Sequence, residues 1–122
     1  MDVKKVLRNN CPIKETVDII NRKWTVILLW DMFNGYEHFN EFKEINSELN
    51  SNVLSDTLKF LIENELVNKI STETNNTRYV LTDKGRSLNK IMYELGVYGI
   101  QSEDYENCRE EIKKYFKEIF EI

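Results

Sequence analysis

The chain has 122 residues, 41% of them hydrophobic and 31% charged, with a formal net charge of −4. That is one domain's worth of material in an ordinary soluble globular balance, enough for one core and small enough to gain from a partner subunit. No apolar stretch follows Met1-Asp2-Val3-Lys4-Lys5 to serve as a secretory segment, and the longest apolar run, Val26-Ile27-Leu28-Leu29-Trp30, is far below a bilayer span, so the expectation is a cytosolic protein with no membrane partner.

Cys11 and Cys108 stand nearly the whole chain apart and read as free thiols in a reducing compartment. Pro12 suits the first turn of a helix, where its missing N–H is not needed. From Ile13 to Asn21, Ile13, Val17 and Ile20 share one face while Lys14, Glu15 and Asp18 fall outside it. Asn21-Arg22 reads as a break. Lys23 to Asn34 is mostly apolar, which predicts a helix buried on most sides at the centre of the core, stopped by Gly35. The single histidine, His38, lies in no cluster of ligand spacing, so neither a metal nor another cofactor is expected.

Phe39, Phe42 and Ile45 recur at three-residue spacing in a short helix, and the polar stretch Asn46–Asn50 reads as a turn. Ser51 is placed to cap a helix running to about Asn64. Within it Leu54, Leu58, Leu61 and Ile62 face inward, and Asn52, Ser55, Asp56 and Lys59 form an outward stripe. The pattern then becomes extended: Leu66–Ile70 and Thr77–Leu81 are rich in β-formers. Between them Thr74-Asn75-Asn76 suits a hairpin turn, since Asn tolerates positive φ. Thr82 or Asp83 would cap a further helix carrying Leu88, Ile91, Met92, Leu95 and Tyr98 on one stripe. A last helix, Glu103 to about Phe120, repeats Tyr105, Cys108, Ile112, Phe116 and Ile119.

Two short helices joined by a polar turn and followed by a hairpin make a winged helix-turn-helix. The expected fold is mainly α with a small β-hairpin wing and extra helices at both termini. Such a second helix fits the major groove of B-DNA, where Asn can pair with adenine, Lys with guanine, and Asp can accept from cytosine. A solvated helix face would carry the same four polar residues, so composition alone leaves both readings open. The acidic total does not settle it either. Residues 1–100 carry 13 basic and 14 acidic side chains, and residues 101–122 carry 4 and 7, so most of the excess acid lies away from the presumed reading head.

The ordered series narrows the choice. Cys11-Pro12, Lys23-Trp24-Thr25, Phe39-Asn40-Glu41-Phe42 and the run Val53 to Leu61 are followed by Leu66-Val67 and the run Tyr79 to Leu88. Across roughly residues 11–99 this resembles the HxlR-type winged helix-turn-helix regulators, bacterial relatives of the MarR group. The resemblance implies a sequence-specific transcription regulator that binds a pseudo-palindromic operator as a homodimer. It places the helix-turn-helix at about 38–64, the wing at about 66–82 and dimerisation helices at about 12–21 and 103–121. Ser51, Asn52, Ser55, Asp56 and Lys59 would then face bases or phosphates, and Arg78, in the wing, would contact the DNA backbone. Lys43 and Lys69 join Arg22, Lys23, Lys84 and Arg86 as candidates for backbone contact. The chain departs from the family where glycine is usual: Asn21-Arg22 precedes the Lys-Trp pair and Asn64-Glu65 follows the recognition helix. Thr57 stands where many members carry Arg.

The stripe Tyr105, Cys108, Ile112, Phe116 and Ile119 would be partly exposed in a monomer and is the expected dimer interface, the alternative being that it packs back on its own domain. Some relatives sense oxidants or electrophiles with a cysteine ahead of the first helix, which makes Cys11 the candidate thiol; as a buried interface residue it would instead be inert. A small-molecule effector would sit in a cleft between the core and the terminal helices. An enzyme is not expected, since the sequence has no phosphate-binding glycine loop, nucleophile–histidine arrangement or metal spacing. The main rival is a winged helix used for protein–protein contact.

Overall fold

The computed structural model describes residues 1–74 and 76–122. The elements are α1 (Val3–Asn9), α2 (Pro12–Ile20), α3 (Lys23–Phe33), α4 (Phe39–Ile45), α5 (Ser51–Glu63), β1 (Val67–Ile70), β2 (Arg78–Leu81), α6 (Asp83–Arg86), α7 (Asn89–Gly99) and α8 (Arg109–Ile119). A mostly helical body with one antiparallel hairpin is the arrangement the sequence predicts. The hairpin pairs Val67 with Leu81 and Ile70 with Arg78. Of the expected hairpin turn, Asn75 lies outside the described residues.

α3 is the centre of the core. Leu28 and Leu29 are fully buried, and Met32 lies beside them. The leucines of α5 (Leu54, Leu58 and Leu61), Phe42 from α4 and Leu66 and Val67 from the start of the wing join them in one cluster. The core also buries an acid: Asp31 on α3 is only 4% exposed. Its carboxylate accepts a hydrogen bond from Asn46 Nδ2 at 2.8 Å, tying the central helix to the turn between α4 and α5. Burial pushes the Asp31 carboxyl above its ordinary range, and the Asn46 hydrogen bond offsets only part of that.

Several boundaries differ from the sequence reading, each for a local reason. Residues Val3–Asn9 form a helix absent from the sequence reading, although Val3, Val6 and Leu7 stand at helical spacing; it is started by Asp2 accepting from the Lys5 N–H. Asn50, not Ser51, caps α5, its side chain accepting from the Val53 N–H at 2.9 Å. The left-handed residue after α5 is Glu65 (φ 61°), while Asn64 stays at φ −89°. Glu65 N–H donates to the Ile62 carbonyl and Leu66 N–H to the Leu61 carbonyl, the paired bonds that close a helix without glycine's help.

The helix expected after Thr82 is two helices. Thr82 caps α6 and also donates its hydroxyl to the Glu65 carbonyl at 2.6 Å. A Cβ on Gly85 would lie 2.2 Å from the Leu66 carbonyl oxygen, so α6 is held tightly against the base of the wing. Ser87 then turns the chain, its hydroxyl donating to the Lys84 carbonyl. The predicted inward stripe of α7 also divides. Met92 is buried, but Ile91, Leu95 and Tyr98 are exposed.

The last helix is shorter than predicted. Glu103–Tyr105 is a single 3-10 turn, and Cys108 at φ −132° interrupts the chain before α8 starts at Arg109. The Arg109 guanidinium donates to the carbonyls of Ile100, Gln101 and Ser102, capping the end of α7 and folding α8 back along it. Phe116 and Ile119 therefore pack on the core, and Phe120 is buried against Trp30 and Phe33. This corrects the expectation that the helix lies beyond the core.

Replacing Asp31 with Asn keeps an acceptor for Asn46 and removes the buried charge. Because the folded-state pKa is raised, wild-type stability falls as pH rises through the aspartate range, and Asp31→Asn lacks that loss. Urea unfolding should show the variant more stable than wild type at neutral pH, with the difference gone near about pH 3, below the ordinary aspartate pKa.

Candidate nucleic-acid interface

Burying Leu54, Leu58 and Leu61 forces the opposite side of α5 into solvent, since residues three and four apart share a face. Ser51, Asn52, Ser55, Asp56 and Lys59 are all exposed there. This is the stripe the sequence predicts, now on a helix whose start is held by Asn50 and whose end is held at Glu65. Val53 adds an apolar group, 36% exposed, beside it. Lys43 on α4 reaches across the turn and donates to Ser51 Oγ at 2.7 Å. Lys59 Nζ lies 3.9 Å from Glu63 one turn along the same helix, a surface pair that water largely screens.

The wing strand β1 runs beside α5. Between them lies a groove of about 290 Å³ lined by Phe39, Ser55, Leu58, Lys59, Ile62, Glu63, Lys69 and Tyr79. It brings Lys59 and Lys69, ten residues apart in sequence, to one opening. Both are exposed, and Lys69 makes no ion pair among the described residues.

Other basic candidates are placed differently. The Arg22 guanidinium sits over the Phe60 ring at 4.3 Å, and Lys23 lies over the Trp24 ring while pairing with Glu48 at 3.4 Å. Lys84 and Arg86 each stand 4.0 Å from a glutamate, Glu65 and Glu121. Arg78 departs furthest from the sequence assignment. Its Nε and Nη2 fork onto the Glu37 carboxylate at 2.6 and 3.1 Å. The same fork holds Glu37 below the ordinary glutamate range. Neither Glu37 nor Asn50 was singled out by the sequence; the Asn50-Ser51 pair ahead of an apolar-periodic run was the available signal for the latter.

The predicted dimer stripe is also divided. Tyr105 and Cys108 are exposed, whereas Ile112, Phe116 and Ile119 are half-buried. Eight of the large exposed apolar side chains lie on α1 and α2 (Val3, Val6, Leu7, Ile13, Val17) and on α7 (Ile91, Leu95, Tyr98), while others such as Tyr36, Ile45, Ile70 and Tyr115 are scattered elsewhere. Beside Leu95 opens an apolar cleft of about 260 Å³ between α3, α7 and α8, walled by Val26, Trp30, Gly96 and Phe116 among others. Cys11 is half-buried at the residue that precedes α2, and both cysteines are free.

A helix-turn-helix flanked by a hairpin wing, with the second helix presenting a polar face, defines a winged helix-turn-helix transcription regulator. Residues 19–107 match the HxlR-like helix-turn-helix family, and the chain belongs to it. Among curated relatives, the uncharacterised transcriptional regulator YvaP of Bacillus subtilis strain 168 is 31% identical over 94 residues, covering 75% of this chain and 87% of its own. YybR of the same strain, likewise an uncharacterised regulator, is 29% identical over 102 residues, covering 80% and 79%. Among solved structures, the redox regulator HypR in its oxidised form superposes with a TM-score of 0.71 at 30% identity, over 75% of this chain and 97% of that one.

Proposed function

We propose that this regulator binds duplex DNA sequence-specifically as a homodimer, with α5 in the major groove and the wing alongside. The observation that carries the reading is the outward stripe of α5: amide, hydroxyl, carboxylate and ammonium groups, all in solvent, on a helix anchored by three buried leucines. Asn52, Ser55 and Asp56 would read base edges. Ser51, Lys43, Lys59 and Lys69 would meet phosphates.

The dimer would form through the exposed apolar residues of α1, α2 and α7, with Tyr105 and Cys108 at its margin, because Phe116 and Ile119 are engaged within their own chain. A two-fold pair would set its two α5 helices one DNA turn apart, about 34–36 Å. A signal could enter through Cys11, as a thiol ahead of α2, or through the apolar cleft beside Leu95; the name of HypR as a redox regulator favours the thiol. Asp56 on the reading face is the feature that favours the rival, a protein-binding winged helix.

Fluorescence anisotropy with a duplex taken from upstream of the protein's own gene separates the two. Wild type should bind with strong salt dependence, and Lys59→Ala and Lys69→Ala should each weaken binding and reduce the salt slope by about one unit. Absence of salt-dependent binding by wild type would reject DNA recognition and leave the protein-binding reading. Leu95→Glu, which puts a charge in the proposed interface, should sediment as a monomer and bind the duplex more weakly; an unaltered dimer would move the interface elsewhere. Diamide should change the affinity of wild type and not of Cys11→Ser, and equal responses would remove the thiol from the account.

A further inference from the structure

The hairpin uses both edges of its second strand. One edge of β2 pairs with β1. The other is occupied by the two residues that precede α4. Tyr79 N–H donates to the Glu37 carbonyl at 2.8 Å. His38 Nδ1 donates to the Thr77 carbonyl at 3.1 Å, since a carbonyl can only accept. The Arg78 fork onto the Glu37 carboxylate closes the set.

The same two residues are tied to the helix-turn-helix. The Glu41 carboxylate, in the first turn of α4, accepts from the backbone N–H groups of Glu37 and His38 at 3.3 and 3.0 Å. Polar contacts thus join the wing to the start of α4 through Glu37, and a separate contact, Lys43 to Ser51, joins α4 to the start of α5. A two-stranded ribbon alone is a weak structure whose direction is not held in water. Here its direction relative to α5 is set from outside, by a segment of the helix-turn-helix itself.

We infer that Glu37 and Arg78 are positioning residues for DNA recognition: their fork locks the wing to the helix-turn-helix, and the Arg78 guanidinium acts through Glu37 rather than on a phosphate. The inference rests on the DNA-binding reading for its functional half and on geometry alone for the lock. Two of the guanidinium's donors are already committed in a bidentate geometry that Lys cannot reproduce, although Lys would serve a phosphate as a point charge. That difference makes the inference testable with conservative changes.

The test compares wild type with Glu37→Gln and Arg78→Lys by two measurements. The first is amide hydrogen exchange at Tyr79 without DNA; the second is affinity for the upstream duplex across a salt titration. Both variants should accelerate Tyr79 exchange several-fold and weaken DNA binding several-fold, with the salt slope of wild type retained. If Arg78 were a phosphate contact, Arg78→Lys would bind nearly as wild type and Glu37→Gln, by freeing the cation, would bind more tightly; that result overturns the inference. Should wild type fail to bind the duplex, the DNA-binding reading falls, and exchange alone decides the lock: acceleration in both variants upholds it, and unchanged protection at Tyr79 overturns it.

Discussion

Three leucines of α5 in contact with the core around α3 set almost everything else in this protein. Leu54, Leu58 and Leu61 recur at helical spacing, and burying them leaves no rotation of α5 that hides Asn52, Ser55, Asp56 or Lys59. Full burial of a leucine is worth about 1.5–3 kcal/mol, so rotating the helix by half a turn would lose several such contributions at once. The polar outer face of α5 is therefore a by-product of packing.

The same core fixes the neighbours of that face. Asp31 reaches from α3 to Asn46 and so ties the turn between the two helices to the central one, at the expense of holding a carboxyl where water is scarce. Glu65 in the left-handed conformation, followed by Leu66 in the core, sends the chain from α5 straight into β1. Close approach of Gly85 to Leu66 then returns it past the base of the wing. Helix, turn and hairpin are thus held by short-range contacts to one buried cluster, and the exposed electrostatic pairs around them add little stability.

At the other end of the molecule the terminal helices divide their apolar residues between two tasks. α8 closes onto the core through Phe116 and Phe120, with a ring-on-ring cluster around Trp30 and with Gly96 leaving room for the Phe116 ring. α1, the outer side of α2 and the outer side of α7 keep apolar side chains in solvent, while Ile19 of α2 packs on the core.

The order of elements from α2 through the wing, the inward leucines and outward polar stripe of α5, the hairpin strands to within a residue, and the family were all legible in the residues themselves. Periodicity and a long ordered series of motifs survive in any fold that buries them. Tertiary structure alone decided the rest. That Arg78 pairs with Glu37 depends on two residues 41 positions apart meeting in space. Whether the stripe of the last helix serves a partner or its own core depends on Arg109 folding α8 back over α7, a bond to backbone carbonyls that leaves no trace in side-chain pattern. Ile91, Met92 and Leu95 all fit one helical stripe; only the packing of α7 against the rest of the folded chain determines which of them water still reaches.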